Sequence, residues 1–177
     1  MADTDTLLTA ADVVRILSLA PLPWEGGYFV ETYRSPLRMP QGILPEGYPG
    51  GRSAATAIFY LLTPDRVSAL HRVRGDEIFH FYVGDPVEML QLREDGNVSI
   101  AIIGPDIARG MRPQVVVPGG VWQGCRLVPG GRFALMGTTM APGFDPRDFE
   151  LGNRVALIRE YPAHAVLIAT LTSEGGG

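Results

Sequence analysis

Residues 68–86 read SALHRVRGDEIFHFYVGDP and hold two of the chain's three histidines, His71 and His80, on either side of Glu77. The fold turns on the period of this stretch. On a helix, Glu77 and His80 would share a face and make a metal-binding E-x-x-H pair. On a strand, Glu77, Phe79, Phe81 and Val83 lie on one side, and Ile78, His80 and Tyr82 on the other. The β-branched and aromatic content favours the strand, so Glu77 and His80 part company. His71 belongs to the preceding strand and shares a face with Ala69 and Val73. If the RGD turn joins neighbouring strands, His71 meets Glu77 as a cross-strand pair. Such a pair serves as metal ligands, as a base with its orienting carboxylate, or as a hydrogen-bonded core pair.

Working outward, the same texture recurs. YFVETY, AATAIFYLL, VSALHRV, EIFHFYV, VEMLQL, VSIAII, QVVV, CRLV and RFALMGTTM are short, rich in β-branched and aromatic residues, and separated by turn residues. Asp95-Gly96 and Gly130-Gly131 are hairpin candidates, since tight primed turns need positive φ. Only two segments look helical. TAADVVRILSL, about residues 9–19, has Thr9 as N-cap, Asp12 three residues on, and Val13, Ile16 and Leu17 on one face. LGNRVALIREYP spaces Leu151, Val155 and Ile158 helically and stops before Pro162. One all-β domain over residues 1–177 follows, with a barrel core at about 24–151 and a C-terminal helix and strand at about 152–171.

The 177 residues are 46% hydrophobic and 19% charged, enough for one core and too few charges for wholesale disorder. A net charge of −4 without a Lys/Arg cluster argues against nucleic acid and anionic membranes. MADTDTLLTA has acids where a signal peptide is basic, and AVLIATL is far shorter than the roughly 20 residues of a membrane span. A soluble, cytoplasmic protein is expected. Cys125 is the single cysteine, suited to a reducing compartment and to a buried apolar position.

Glu77, six residues and then Gly84 resemble the second half of the first cupin motif, and VVVPGGVWQG resembles the second motif. WEGGYFVETYRS, TAIFYLL, SALHRVRGDEIFHFYVGDP, VVVPGGVWQG and APGFDPRDFEL, in that order, resemble the Cupin_5 family, whose members are uncharacterised. The resemblance implies a double-stranded β-helix, a jelly-roll barrel with short flanking helices, a small-molecule cavity and a homodimer. Metal-binding cupins supply three histidines and a glutamate. By this resemblance His71 and Glu77 are two of the four, while Val73 and Gln123 stand where the other histidines would be. His71, Glu77 and Gln123 are thus an incomplete set for a divalent transition metal, able to hold one loosely, and no cofactor is certain. Where the family reads His-Pro-Glu-Gly-Gly, this chain has Pro23-Trp24-Glu25-Gly26-Gly27.

Tyr60, Phe79, Phe81, Trp122 and Phe133 lie on or beside barrel strands and, with Gln123, are candidates to line an aromatic pocket for a sugar or nucleotide, although packing is the ordinary role of such aromatics. Glu31 and Arg34 either contact a ligand at the mouth or form a solvated ion pair. Asp145 and Asp148 read as caps. The barrel is similar to nucleotide-sugar 3,5-epimerases, which implies His71 as base, Glu77 as its orienter, Gln123 as a donor to the developing enolate and a tyrosine acid that the sequence does not place. The alternative is a non-enzymatic module that binds or senses a small ring-containing metabolite. A metal-dependent oxygenase is disfavoured by the incomplete ligand set.

Overall fold

The capping box at Thr9 forms as the sequence predicts. Asp12 N–H donates to Thr9 Oγ1, and Asp12 reaches back to the Thr9 backbone. It opens the first element of a computed structural model that describes residues 8–173. That element is α1 (Ala10–Leu17). The strands follow as β1 (Ala20–Pro21), β2 (Tyr28–Arg34), β3 (Arg38–Met39), β4 (Arg52–Ser53), β5 (Thr56–Leu62), β6 (Ser68–Val73), β7 (Asp76–Gly84), β8 (Val87–Leu92), β9 (Val98–Ile103), β10 (Gln114–Val117), β11 (Trp122–Leu127), β12 (Ala134–Ala141) and β13 (Phe149–Leu151). Helices α2 (Arg154–Glu160) and α3 (Ala165–Thr170) close the chain.

Two antiparallel sheets make the jelly-roll barrel. One is ordered β1-β2-β5-β12-β7-β10 and the other β13-β6-β11-β8-β9, while β3 and β4 pair separately. Between the sheets, Tyr60, Leu62, Phe79, Met89, Cys125 and Met136 form the main core. Each large apolar side chain buried this way contributes about 1.5–3 kcal/mol. Outside, α1 covers Leu61, Phe133 and Leu135. The C-terminal helices cover Leu70, Leu90 and Leu92 through Leu157, Tyr161 and Ile168.

Several expectations are corrected. The segment expected as a C-terminal strand is helical, forming α3. Ile16 and Val155 point to solvent, because the packed faces are Ala10-Val13-Val14-Leu17 in α1 and Leu157-Ile158-Tyr161 after Arg154. Gly130-Gly131 does not close a hairpin, since β11 and β12 lie in different sheets. Asp95-Gly96 does sit between paired neighbours β8 and β9, in a loop over residues 93–97 where Gly96 has φ +81°.

The RGD turn also crosses between sheets. β6 belongs to one and β7 to the other, so His71 and Glu77 are not cross-strand neighbours. Pro118–Gly120 brace this corner. A Cβ on Gly119 would lie 2.1 Å from Arg74 O, Gly119 N–H donates to Asp76, and Gly120 N–H donates to Val73 O.

Candidate functional site

Three titratable groups converge from three elements. Glu25 comes from the turn between β1 and β2, where Gly26 N–H donates to Leu22 O at 2.9 Å and Ala69 N–H donates to Glu25 O at 2.8 Å. Gly26 sits at φ +101°, and a Cβ there would be 2.3 Å from Val67 O, so the close approach requires glycine. Tyr60 fixes the turn from inside by donating its hydroxyl to Gly26 O at 3.1 Å.

His71 comes from β6, where the register against β11 slips between Gln123↔His71 and Cys125↔Ser68. This bulge lets Ser68 and His71, three residues apart, both face inward, so that His71 shares its side with Val73 as strict alternation predicts while Ser68 replaces Ala69 there. Ser68 Oγ donates to Glu25 Oε1 at 2.7 Å. His71 Nδ1 lies 2.7 Å from Ala69 O. A carbonyl only accepts, so Nδ1 carries the proton and Nε2 faces the site. Phe149 stacks on the ring at 5.0 Å between centroids.

Glu77 comes from β7 in the opposite sheet. His71 Nε2 lies 3.9 Å from Glu25 Oε2 and 3.9 Å from Glu77 Oε2, with His71 only 2% exposed. Gln123 Nε2 donates to Glu77 Oε2 at 2.6 Å, leaving its buried Oε1 without a partner among the described residues. The opposite amide orientation would set two acceptor oxygens against each other.

Burial alone would lower the His71 pKa, but Glu25 and then Glu77 outweigh it and raise it to about 9. Burial raises the Glu25 carboxyl, Glu77 adds to this, and His71 opposes it. Cys125 is buried and burial pushes its thiol up, which fits the inert role expected of it.

These groups end a cavity of about 250 Å³ walled by Trp24, Phe29, Ile58, Met140, Phe144 and Phe149, with Glu31 and Arg34 also lining it. A larger depression of about 440 Å³ lies beyond Trp24 and Glu25, lined by Arg66 and Leu171 among others, but no imidazole borders it. The smaller cavity is the chemically equipped one.

Of the residues nominated from the sequence, the structure brings His71 and Glu77 to this cavity and sets Gln123 behind Glu77. The aromatics lie elsewhere. Tyr60 and Phe79 are in the barrel core, with Phe81 packed against it. Trp122 packs under the C-terminal helices with Arg72 over its ring, and Phe133 packs under α1. His80 faces away and lies 3.0 Å from Thr139 Oγ1. Asp145 caps a short turn, whereas Asp148 is buried and holds Arg52 through two 2.6 Å bonds. Sequence reasoning missed Glu25, Trp24, Phe29, Phe144 and Phe149. The Gly26-Gly27 pair was the available signal for Glu25.

The metal set does not assemble. Val73 contributes no donor, one Glu77 oxygen is taken by the Gln123 amide N–H, and no group of three His, Cys, Asp or Glu among the described residues is arranged to hold an ion. With no such arrangement among the described residues, they do not fit a resident divalent metal.

The pattern of the Cupin_5 family, described as Cupin superfamily (DUF985), matches residues 11–152. The chain belongs to the Cupin_5 family. An uncharacterised protein of Saccharomyces cerevisiae is 35% identical over 132 residues, covering 70% of this chain and 66% of the yeast protein. The match thus spans just under two thirds of that relative's length. A hypothetical protein from Leishmania major superposes with a TM-score of 0.85 at 31% identity, covering 94% of this chain and all of the other. A Shewanella oneidensis protein gives 0.82 at 32% identity, covering 94% and 99%. The barrel of this chain thus has close structural counterparts in proteins of both organisms. Among the described residues of this member, no helix is long and apolar enough to cross a membrane.

Proposed function

We propose that this Cupin_5 chain binds a small, sugar-like ring and moves a proton on a carbon next to its carbonyl, as an isomerase or epimerase does. One arrangement carries the reading: His71 Nε2 sits 3.9 Å from two carboxylates at the end of an apolar cavity. With Nδ1–H fixed on Ala69 O, an imidazolium offers Nε2–H to the substrate carbonyl. Glu25, its carboxyl made more basic by burial, takes the carbon-bound proton. The C–H electron pair becomes the enediol double bond, and the carbonyl π pair moves to its oxygen, which takes the Nε2 proton of His71. His71 recovers a proton from the neighbouring hydroxyl while Glu25 delivers its own to the former carbonyl carbon, giving the isomer. Glu25 is thereby the base and His71 the acid, the opposite of the role His71 was expected to play. Glu77, steadied by Gln123, keeps His71 charged.

No tyrosine is among the cavity-lining residues. That favours a second reading, a module that binds or senses the ring without changing it. The same proposal includes a homodimer, supported by the unpaired outer edge of β10, where Val116 is exposed. A cytoplasmic setting, supported by the lone reduced Cys125, belongs to it too.

Incubation in heavy water with neutral keto sugars and 4-keto sugar nucleotides, followed by NMR, tests the chemistry. Deuterium should enter next to the carbonyl, at a rate that Glu25→Gln lowers about 100-fold or more while leaving the ligand's thermal shift intact. A thermal shift without exchange would favour the binding module. Exchange that survives in both Glu25→Gln and His71→Gln would sink the assignment.

A further inference from the structure

The outer half of the cavity carries one more pair of charges, and their pairing decides what can enter. Glu31 and Arg34 are three apart on β2 and would face opposite sides of an unbroken strand. Thr32 is an extra residue, since Glu31 registers with Ile58 and Tyr33 with Ala57. The bulge brings both side chains to the cavity.

Arg34 then gives Nε to Glu31 Oε1 at 2.9 Å, Nη2 to Glu31 Oε2 at 2.6 Å, and Nη1 to Phe144 O at 3.1 Å. Each guanidinium nitrogen makes one bond within the protein, and among the described residues Arg34 is the only Lys or Arg lining this cavity. Side chains 42% and 38% exposed would gain little from a simple ion pair, but a two-pronged contact is the strong form. At the inner end, His71 lies between Glu25 and Glu77. Three carboxylates thus border the space, against two cations already matched to them. Carboxylates accept hydrogen bonds and cannot donate them. An entering anion would lose its water and meet three acceptors of its own sign, while each cation is already paired with a carboxylate and Arg34 has given its two-pronged face to Glu31.

We infer that the cavity takes uncharged or cationic rings bearing hydrogen-bond donors and rejects anions, and that Glu31 sets this specificity by occupying Arg34. The inference rests on the cavity being the ligand site proposed above. At roughly 30 Å³ per water, the 250 Å³ space equals about eight waters, room for one substituted ring. A phosphate or carboxylate on the ligand has to stay outside the mouth.

Benzyl alcohol, benzylammonium and benzoate share a ring and a size and differ in charge. Their binding is followed by NMR on the full chain, through the Trp24 indole and the Met140 methyl, both in the cavity wall. In the wild type, benzyl alcohol and benzylammonium should each bind about tenfold or more tighter than benzoate, a difference of about 1.4 kcal/mol. Glu31→Gln should raise benzoate affinity about tenfold and leave benzyl alcohol unchanged. Adding Arg34→Gln to that variant should abolish the gain. Equal wild-type affinity for benzoate and benzyl alcohol overturns the inference without any variant, and an unchanged benzoate affinity in Glu31→Gln overturns the role of Glu31. Binding without charge selection leaves the proposed cavity standing. If none of the three probes moves either signal, the cavity itself is not the ligand site and both readings fall.

Discussion

At the scale of single residues, the most demanding position outside the cavity is Arg52, 1% exposed and clamped by Asp148. Arg52 Nη1 also donates to Gly50 O and Gly51 O, and Tyr48 lies 5.3 Å from the guanidinium carbon. The pair ties the β3–β4 ribbon to the segment that carries Phe149, and Phe149 stacks on His71. Breaking a buried pair leaves one charge unmatched. Asp148→Asn should therefore cost about 3–5 kcal/mol, read from denaturant unfolding. Arg52→Met with Asp148→Leu, which removes both charges, should recover part of that loss. A cost below about 1 kcal/mol for Asp148→Asn would mean that the pair is solvated. Nothing in the local sequence marks this contact, because its partners lie 96 residues apart and Asp148 has the spacing of a cap.

At the scale of elements, the turn over residues 22–27 places Glu25 against β5 and β6. Gly26→Ala puts a Cβ into Val67 O and strains a positive φ. The variant should lose ligand binding and proton exchange together and melt several degrees lower. Retained activity at wild-type level would show that Glu25 needs no such placement. The strands themselves were legible, with VEMLQL, VSIAII and QVVV observed at their expected limits, since alternation is a local property. Sheet membership was not. The RGD turn reads like a hairpin, and the distant segment that packs on its corner, with Gly119 against Arg74 O, is not visible in its local sequence. Bulges were equally hidden. One residue of slippage in β6 brought Ser68 inward beside His71, and one in β2 brought Arg34 beside Glu31. The aromatic nominations erred for a related reason: a strand period separates two faces without saying which one lines the barrel or where along it, so Trp122 and Phe133 pack outside under the helices and Tyr60 and Phe79 fill the core.

At the scale of the whole molecule, His71 stands in one sheet and Glu77 in the other, so their attraction works across the barrel. Folding raises the His71 pKa from 6.5 to about 9, so the folded state holds the proton more tightly. The resulting stabilisation is complete below about pH 6.5 and is lost as pH climbs through 9. Glu25, also raised, contributes in the same direction at lower pH. The melting temperature should fall between pH 6.5 and 9.5, and His71→Gln should flatten the slope. A wild-type profile that is level or rising across this window would contradict the arrangement.

Glu25, His71 and Glu77 meet only once turn, sheet and opposite sheet have closed on one another. In the open chain they are three separate, hydrated side chains with no affinity for anything in common. A ligand of the kind proposed would therefore bind the finished barrel alone and stabilise it by mass action, by about 2.7 kcal/mol at a hundredfold excess over its dissociation constant. In a cell, the supply of that small molecule would set how long each copy of the protein survives proteolysis, so abundance would follow the metabolite before any gene responded to it.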